Sequence, residues 1–191
     1  NANLAKEVGR LHDWTGTMFP RRYASIPVSD EPQAQIARLR YLMSQGTKEN
    51  LVMAPTDWPG VHSSRAMVEG RSMKGIWIRR KEMFNARQRG KDVNEVDFTD
   101  DVELTLDPLP CWRHLDADTS RGRVQEMVDD IERETVARHR RDETVPRGAE
   151  WVKRRHAHER PKPGHRSPRP RFHAFAKKVR KQMVAAYREF L

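Results

Sequence analysis

Tyr41 and Gln45 place a phenol and a carboxamide four residues apart, one helical turn from each other. On a wheel of about 100° per residue they share a side with Ala34 and Ala37, while Ile36, Leu39, Leu42 and Met43 form an apolar stripe on the other. The two alanines leave room beside the phenol, so this face can meet a second surface. A phenol held there is a candidate for chemistry, although with an ordinary pKa of about 10 it is a poor nucleophile at neutral pH and needs help. The same spacing also fits an ordinary amphipathic aromatic beside a solvated helix end, and spacing alone favours that reading.

The elements that must position this face are marked on both sides. Ser29 or Asp30 is placed to cap the helix, and Pro32 falls in its first turn, where a missing N–H costs nothing. Upstream, residues 2–12 read as a helix that ends near the turn signal Trp14-Thr15-Gly16-Thr17, and residues 23–28 read as a short strand-like segment. Arg21 and Arg22 would lie near the tyrosine face and steady phosphate, or else serve as plain surface charge. Downstream the chain passes through a turn into Asp57-Trp58-Pro59-Gly60.

Tyr23, Leu39-Arg40-Tyr41-Leu42, Asn50-Leu51-Val52 and Asp57-Trp58-Pro59-Gly60-Val61-His62-Ser63-Ser64 occur in this order. Together they resemble the C-terminal half of a REP-associated tyrosine transposase, a single-tyrosine HUH nuclease. The family pattern is a tyrosine in a Tyr-Ile-x-x-Asn-Pro helix, then Gly-Leu-Val, then Asp-Trp-Pro and a serine pair. The resemblance covers residues 1–64, with Leu109-Pro110-Cys111-Trp112 and Arg166-Ser167-Pro168 similar to segments of long members. It implies that Tyr41 is the nucleophile that takes a DNA phosphate and that Gln45 stands where the family places a third metal ligand. Gln45-Gly46-Thr47 departs from the commoner Asn-Pro-Val, although glutamine here resembles the related insertion-sequence transposases.

The family uses Mg²⁺ or Mn²⁺ to polarise the scissile phosphate and steady the leaving 3′ oxygen, while the phosphotyrosine keeps the bond for a second transfer. The ion is held by a His-hydrophobic-His pair on a central strand, where i, i+2 spacing puts both imidazoles on one face. His12 is the sole histidine before Tyr41, and the chain opens on Asn1 with Leu4, Val8 and Leu11 already at helical spacing. The expectation is a truncated copy that lacks the metal-binding strand and, alone, holds no ion. His156-Ala157-His158 imitates the dyad, but it lies after Tyr41, among basic residues and without a strand signal.

Composition adds a second theme. Of 191 residues 36% are hydrophobic and 34% charged, leaving a modest core, and the net charge is +10. Residues 1–120 carry 17 basic and 17 acidic side chains, whereas residues 121–191 carry 20 and 10, so the positive field belongs to the C-terminal third. Residues 147–181 hold 13 of those cations against Glu150 and Glu159 alone, a footprint suited to nucleic acid. The DNA-binding candidates here are Lys153, Arg154, Arg155, Arg160, Lys162, Arg166, Arg169 and Arg171, in a Pro/Arg-rich arm, 145–171, too poor in aliphatics to fold alone. No apolar run approaches the roughly 18 residues of a membrane span. With Cys111 as the single cysteine, a cytoplasmic protein with no membrane partner is expected.

Between these regions, Gly75-Ile76-Trp77-Ile78 reads as a strand entry, 79–89 as a basic helix closed by Gly90, and 91–101 as an acidic loop. Asp97, Asp100 and Asp101 are a weak carboxylate alternative for a cation. Residues 102–106 alternate as a half-buried strand should. Residues 116–141 form the longest helix by pattern, striped by Val124, Met127, Val128, Ile131, Thr135 and Val136; the helix at 172–191 is its expected antiparallel partner, acidic against basic. The expected fold is therefore α+β and helix-rich: the C-terminal part of a ferredoxin-like HUH domain (1–64), a small α/β satellite (65–112), and a helical extension (113–191). The function expected is cleavage and rejoining of single-stranded, REP-type hairpin DNA. The alternatives are a non-catalytic basic nucleic-acid-binding protein or a structural, partner-binding remnant. Hairpin or single-stranded DNA is the expected partner, with a homodimer as an option.

Overall fold

The computed structural model describes residues 2–11, 13, 26–156 and 172–190. The architecture is α+β with helices dominant. In chain order it runs α1 (Ala2–Leu11), α2 (Pro32–Met43), α3 (Gln45–Lys48), α4 (Ser64–Glu69), β1 (Met73–Ile78), α5 (Arg80–Gln88), β2 (Thr99–Leu104), α6 (Ala117–Arg141), α7 (Gly148–Lys153) and α8 (Lys177–Phe190). Short 3-10 turns at Pro55–Asp57, Glu95–Phe98 and Pro110–Trp112 join them.

The 25-residue α6 is the spine. Asp116 caps it by accepting the Thr119 N–H at 2.8 Å, and the hydrogen bonds from Thr119 hold the Asp116 carboxyl below the usual aspartate range. Its buried stripe of Val124, Met127, Val128 and Ile131 meets Leu39 and Met43 of α2 and Trp112 of the 3-10 turn, with Met67, Val68 and Leu115 at the margin. Arg40 of α2 pairs with Glu134 at 2.7 Å, an exposed contact that fixes orientation more than it stabilises. The core thus crosses the boundaries expected at 64 and 112, and α2 and α6 share one apolar interior.

Several expectations are corrected. The partners of α6 are α2, α3 and α4, because α6 already buries its stripe against the tyrosine-bearing helix; α8 packs elsewhere. α8 begins at Lys177, since Phe172–Ala176 forms a strap that is bridged at His173 and bends at Phe175 and Ala176. Leu42, expected in the core stripe, is 51% exposed, and the buried face of α2 takes Ala34 and Gln35 instead. Glu31, and neither Ser29 nor Asp30, occupies the N-cap of α2, with no side-chain cap bond. The β1–β2 pair is antiparallel with Met73 opposite Leu104 and Ile78 opposite Thr99, and among the described residues it has no third strand; β2 is exposed where half-burial was expected. The loop at 91–101 contains a 3-10 turn and the first residues of β2.

The strap is held by a parallel bridge between Val28 and His173, with Ser29 N–H donating to His173 O at 2.8 Å and His173 N–H to Pro27 O at 2.9 Å. Glu31 then accepts the N–H groups of Phe175 and Ala176 at 2.8 and 2.9 Å, while the Ser29 hydroxyl donates to it at 2.7 Å. The Ser29 bond is the main cause that holds the Glu31 pKa below its ordinary 4.5; burial opposes it, and the Ala176 and Phe175 N–H groups add smaller lowerings. An open groove of about 570 Å³ lies between this segment and Val179, Gln182, Met183 and Ala186 of α8.

A carboxyl whose folded pKa is depressed stabilises the folded form above its unfolded pKa and loses that contribution as pH falls through the folded value. Docking of α8 should therefore be complete at pH 6 and weaken below about 4.5. Glu31→Gln should loosen α8 at all pH values. Amide exchange of Phe175 and Ala176 measured against pH in both proteins checks this; equal protection in the variant would contradict it.

Candidate functional site

Tyr41 projects from the last turn of α2 and is 44% exposed. Arg38 lies over its ring at 4.6 Å and Lys48 at 4.9 Å, so two cations flank one phenol. Residues 38, 41, 45 and 48 keep helical spacing across the break at Ser44, which explains why they share a face although α2 and α3 are separate helices. Ser44 and Gln45 both turn toward the Tyr41 carbonyl, Oγ at 3.1 Å and Nε2 at 3.4 Å, and so tie the two helices at this point.

α3 ends in a Schellman arrangement. Asn50 N–H reaches Thr47 O at 3.1 Å and Leu51 N–H reaches Gly46 O at 2.9 Å, with Asn50 in the left-handed region at φ 56°. Asparagine tolerates that conformation better than most residues, which accounts for Asn50 at the start of Asn50-Leu51-Val52. Arg138 of α6 donates to Thr47 O and holds the turn against the spine.

The Asp57–Ser64 stretch packs onto this turn. Asp57 accepts the Ala54 N–H at 3.1 Å, and the buried Ser64 hydroxyl lies 2.9 Å from Pro55 O and 2.6 Å from His62 Nδ1. The benzo edge of Trp58 lies against Gly46 and its pyrrole edge against Gly60: a Cβ on Gly46 would sit 3.0 Å from Trp58 Cε3 and 2.9 Å from Val52 Cγ2. Gly46 is therefore the seat for Trp58. These residues build the turn, and Tyr41 is left facing outward.

The structure brings other chemistry near α2 that sequence reasoning missed. His173 arrives through the strap; burial and the neighbouring Arg38 lower its pKa from 6.5, so the ring is neutral at pH 7, and its Nε2 is buried without a hydrogen-bond partner among the described residues. No local pattern could place it there, 132 positions from Tyr41 in the sequence. Arg38 and Lys48 were legible as charges at helical spacing, but the break at Ser44 hid their convergence.

Of the basic-arm candidates, Lys153, Arg154 and Arg155 are exposed at the end of α7. Lys153 pairs with Glu150 at 2.6 Å, and Arg155 lies over the Trp151 ring at 4.4 Å. Arg21, Arg22, Arg160, Lys162, Arg166, Arg169 and Arg171 lie outside the described residues, as do Tyr23, His12 and the second half of His156-Ala157-His158. The arm is partly built: its first residues form α7, and Arg147 and Gly148 N–H donate to Asn50 O and Leu51 O at 2.8 and 2.9 Å.

Mg²⁺ or Mn²⁺ needs several oxygen or imidazole donors converging on one point. Gln45 donates its amide N–H to Tyr41 O, Asp100 is paired with Arg79 at 3.0 Å, and no three His, Cys, Asp or Glu groups gather among the described residues. The described residues gather no donor set for the ion. Cys111 is half-buried, with its thiol pKa raised by burial, which suits a packing role.

No family model, curated protein or solved structure matches the chain. No helix among the described residues is long and apolar enough to cross a membrane.

Gly46→Ala offers a check on the site. Alanine gains up to about 1 kcal/mol of helix propensity over glycine, but forcing Val52 or Trp58 aside costs about 1–3 kcal/mol. Val52 is buried and cannot simply swing out. The variant should unfold at lower urea with altered Trp58 emission; unchanged stability and emission would show that Trp58 is not seated on Gly46.

Proposed function

We propose that this chain is a transposase-like protein that binds single-stranded or hairpin DNA, similar to REP-associated tyrosine transposases, with Tyr41 facing the phosphate. On this reading residues 1–64 correspond to the C-terminal part of a ferredoxin-like HUH nuclease domain. The observation that carries the proposal is the outward phenol of Tyr41 clasped by Arg38 and Lys48. Two cations at that spacing suit the charge of a bound phosphodiester, and the stretches that carry the family resemblance pack into the turn that holds them.

In cleavage by such a group, the Tyr41 oxygen would attack phosphorus, lose its proton, and release a 3′ hydroxyl, leaving the 5′ phosphate on the phenol. The residues described do not supply the metal centre that the family uses for this step, so the chain's own residues are assigned binding and phosphate orientation. A non-catalytic nucleic-acid binder is the second reading. It is favoured by the placement of the two cations over the ring faces, where they serve binding whether or not the phenol reacts.

The chain alone should bind a single-stranded hairpin and not nick it. Arg38→Gln with Lys48→Gln should make the log–log salt dependence of binding shallower by about 1.4, at roughly 0.7 per lost single-strand phosphate contact. Tyr41→Phe should leave binding nearly unchanged. Where a catalytically complete relative of this chain forms covalent adducts on a denaturing gel, the same change should abolish them. Absence of DNA binding would contradict the proposal, and adducts that persist with Phe at position 41 would move the nucleophile elsewhere.

A further inference from the structure

A second aromatic clasped by cations stands on α7. Trp151 lies in α7, with Arg147 just before the helix across the left-handed Gly148 (φ 75°) and Arg155 two residues past its end, and the guanidinium carbons of both arginines lie 4.5 and 4.4 Å from the indole centroid. Both arginines are exposed and Trp151 is half-buried. The ladder is fixed beside the first site, because the Arg147 and Gly148 N–H groups donate to Asn50 and Leu51, two and three residues beyond the Lys48 that covers Tyr41. The Schellman turn at the end of α3 thus serves both: Lys48 belongs to one clasp, and the carbonyls that follow anchor the other.

We infer that Arg147–Trp151–Arg155 is a second binding site, a stacking platform for unpaired bases of a nucleic acid whose phosphates the two arginines hold. The inference rests on the DNA-binding reading of Tyr41 and adds a distinct point of contact on the same strand. A guanidinium laid on an indole keeps its N–H donors in plane for phosphate and offers its outer face to a base, so the ladder supplies both interactions that unpaired nucleotides make. A duplex keeps its bases stacked on one another and offers only its backbone to such a platform. An acidic peptide would meet the charge but would leave the flat stack without a use.

The test uses the full chain and fluorescence anisotropy with a labelled oligo-thymidine 20-mer and a duplex of mixed sequence, at several salt concentrations. Trp151→Ala should weaken single-strand binding by about tenfold, within the range of one stacked base, and duplex binding by less than about twofold. Trp151→Phe, which keeps a ring in place, should restore most of the loss and guards against a folding defect. Arg147→Gln with Arg155→Gln should make the single-strand salt dependence shallower by about 1.4. If the unaltered chain binds neither probe, this inference and the reading at Tyr41 both fall. If it binds the single strand and Trp151→Ala binds equally well, the platform is refuted while the Tyr41 reading stands. Equal losses for single strand and duplex would also refute it, since they would report lost charge or structure and not stacking.

Discussion

The contact between Trp58 and Gly46 constrains everything around it. An indole can lie this close to a helix backbone because position 46 has no Cβ, and the same glycine carbonyl accepts the Leu51 N–H that closes α3. The turn so formed sets where Lys48 points and where Asn50 and Leu51 present their carbonyls. Tyr41, one turn before, is kept outside this packing. Two cation-flanked aromatics therefore depend on a single glycine notch, although neither of them touches it.

The α6 spine gives this turn a foundation. Val124, Met127, Val128 and Ile131 pack against Leu39, Met43 and Trp112, so the interior of the tyrosine-bearing unit is supplied by residues about 80 to 90 positions further along the chain. Arg138 and Glu134, on the same helix, add polar ties to Thr47 and Arg40. Burial carries the energy here, and the exposed ion pairs add orientation.

Periodicity made the helices themselves legible. The end of α5 was marked by Gly90 and the start of α6 by Asp116, and most of the α6 stripe was visible, although Val136 is only half-buried and Ser120 and His139 are buried as well. Which stripe meets which was not, because two amphipathic helices of opposite charge look like partners whether or not a third surface competes better. α8 lost that competition, and its strap instead reaches Glu31 through backbone N–H groups, which leave no signature in side-chain pattern. The alternation in β2 misled for a related reason: it predicts burial only if a layer exists to cover the sheet. Within the site, Tyr41 could be singled out by helix phase and resemblance, whereas the seat that Gly46 gives Trp58 leaves no signal in the triplet Gln45-Gly46-Thr47. The convergence of Arg38, Lys48 and His173 depended on a helix break and a long-range bridge that one-dimensional spacing does not encode.

The central claim is that one turn holds two nucleic-acid contacts on a common framework. Hydrogen exchange measured by mass spectrometry on the full chain, with and without a single-stranded oligonucleotide, tests it most directly. The account predicts slowed exchange in two separate peptides, residues 38–51 and 147–155, while β1 and β2 are unchanged. Slowing confined to the sheet, or absent from both of those peptides although the oligonucleotide is bound, would contradict it.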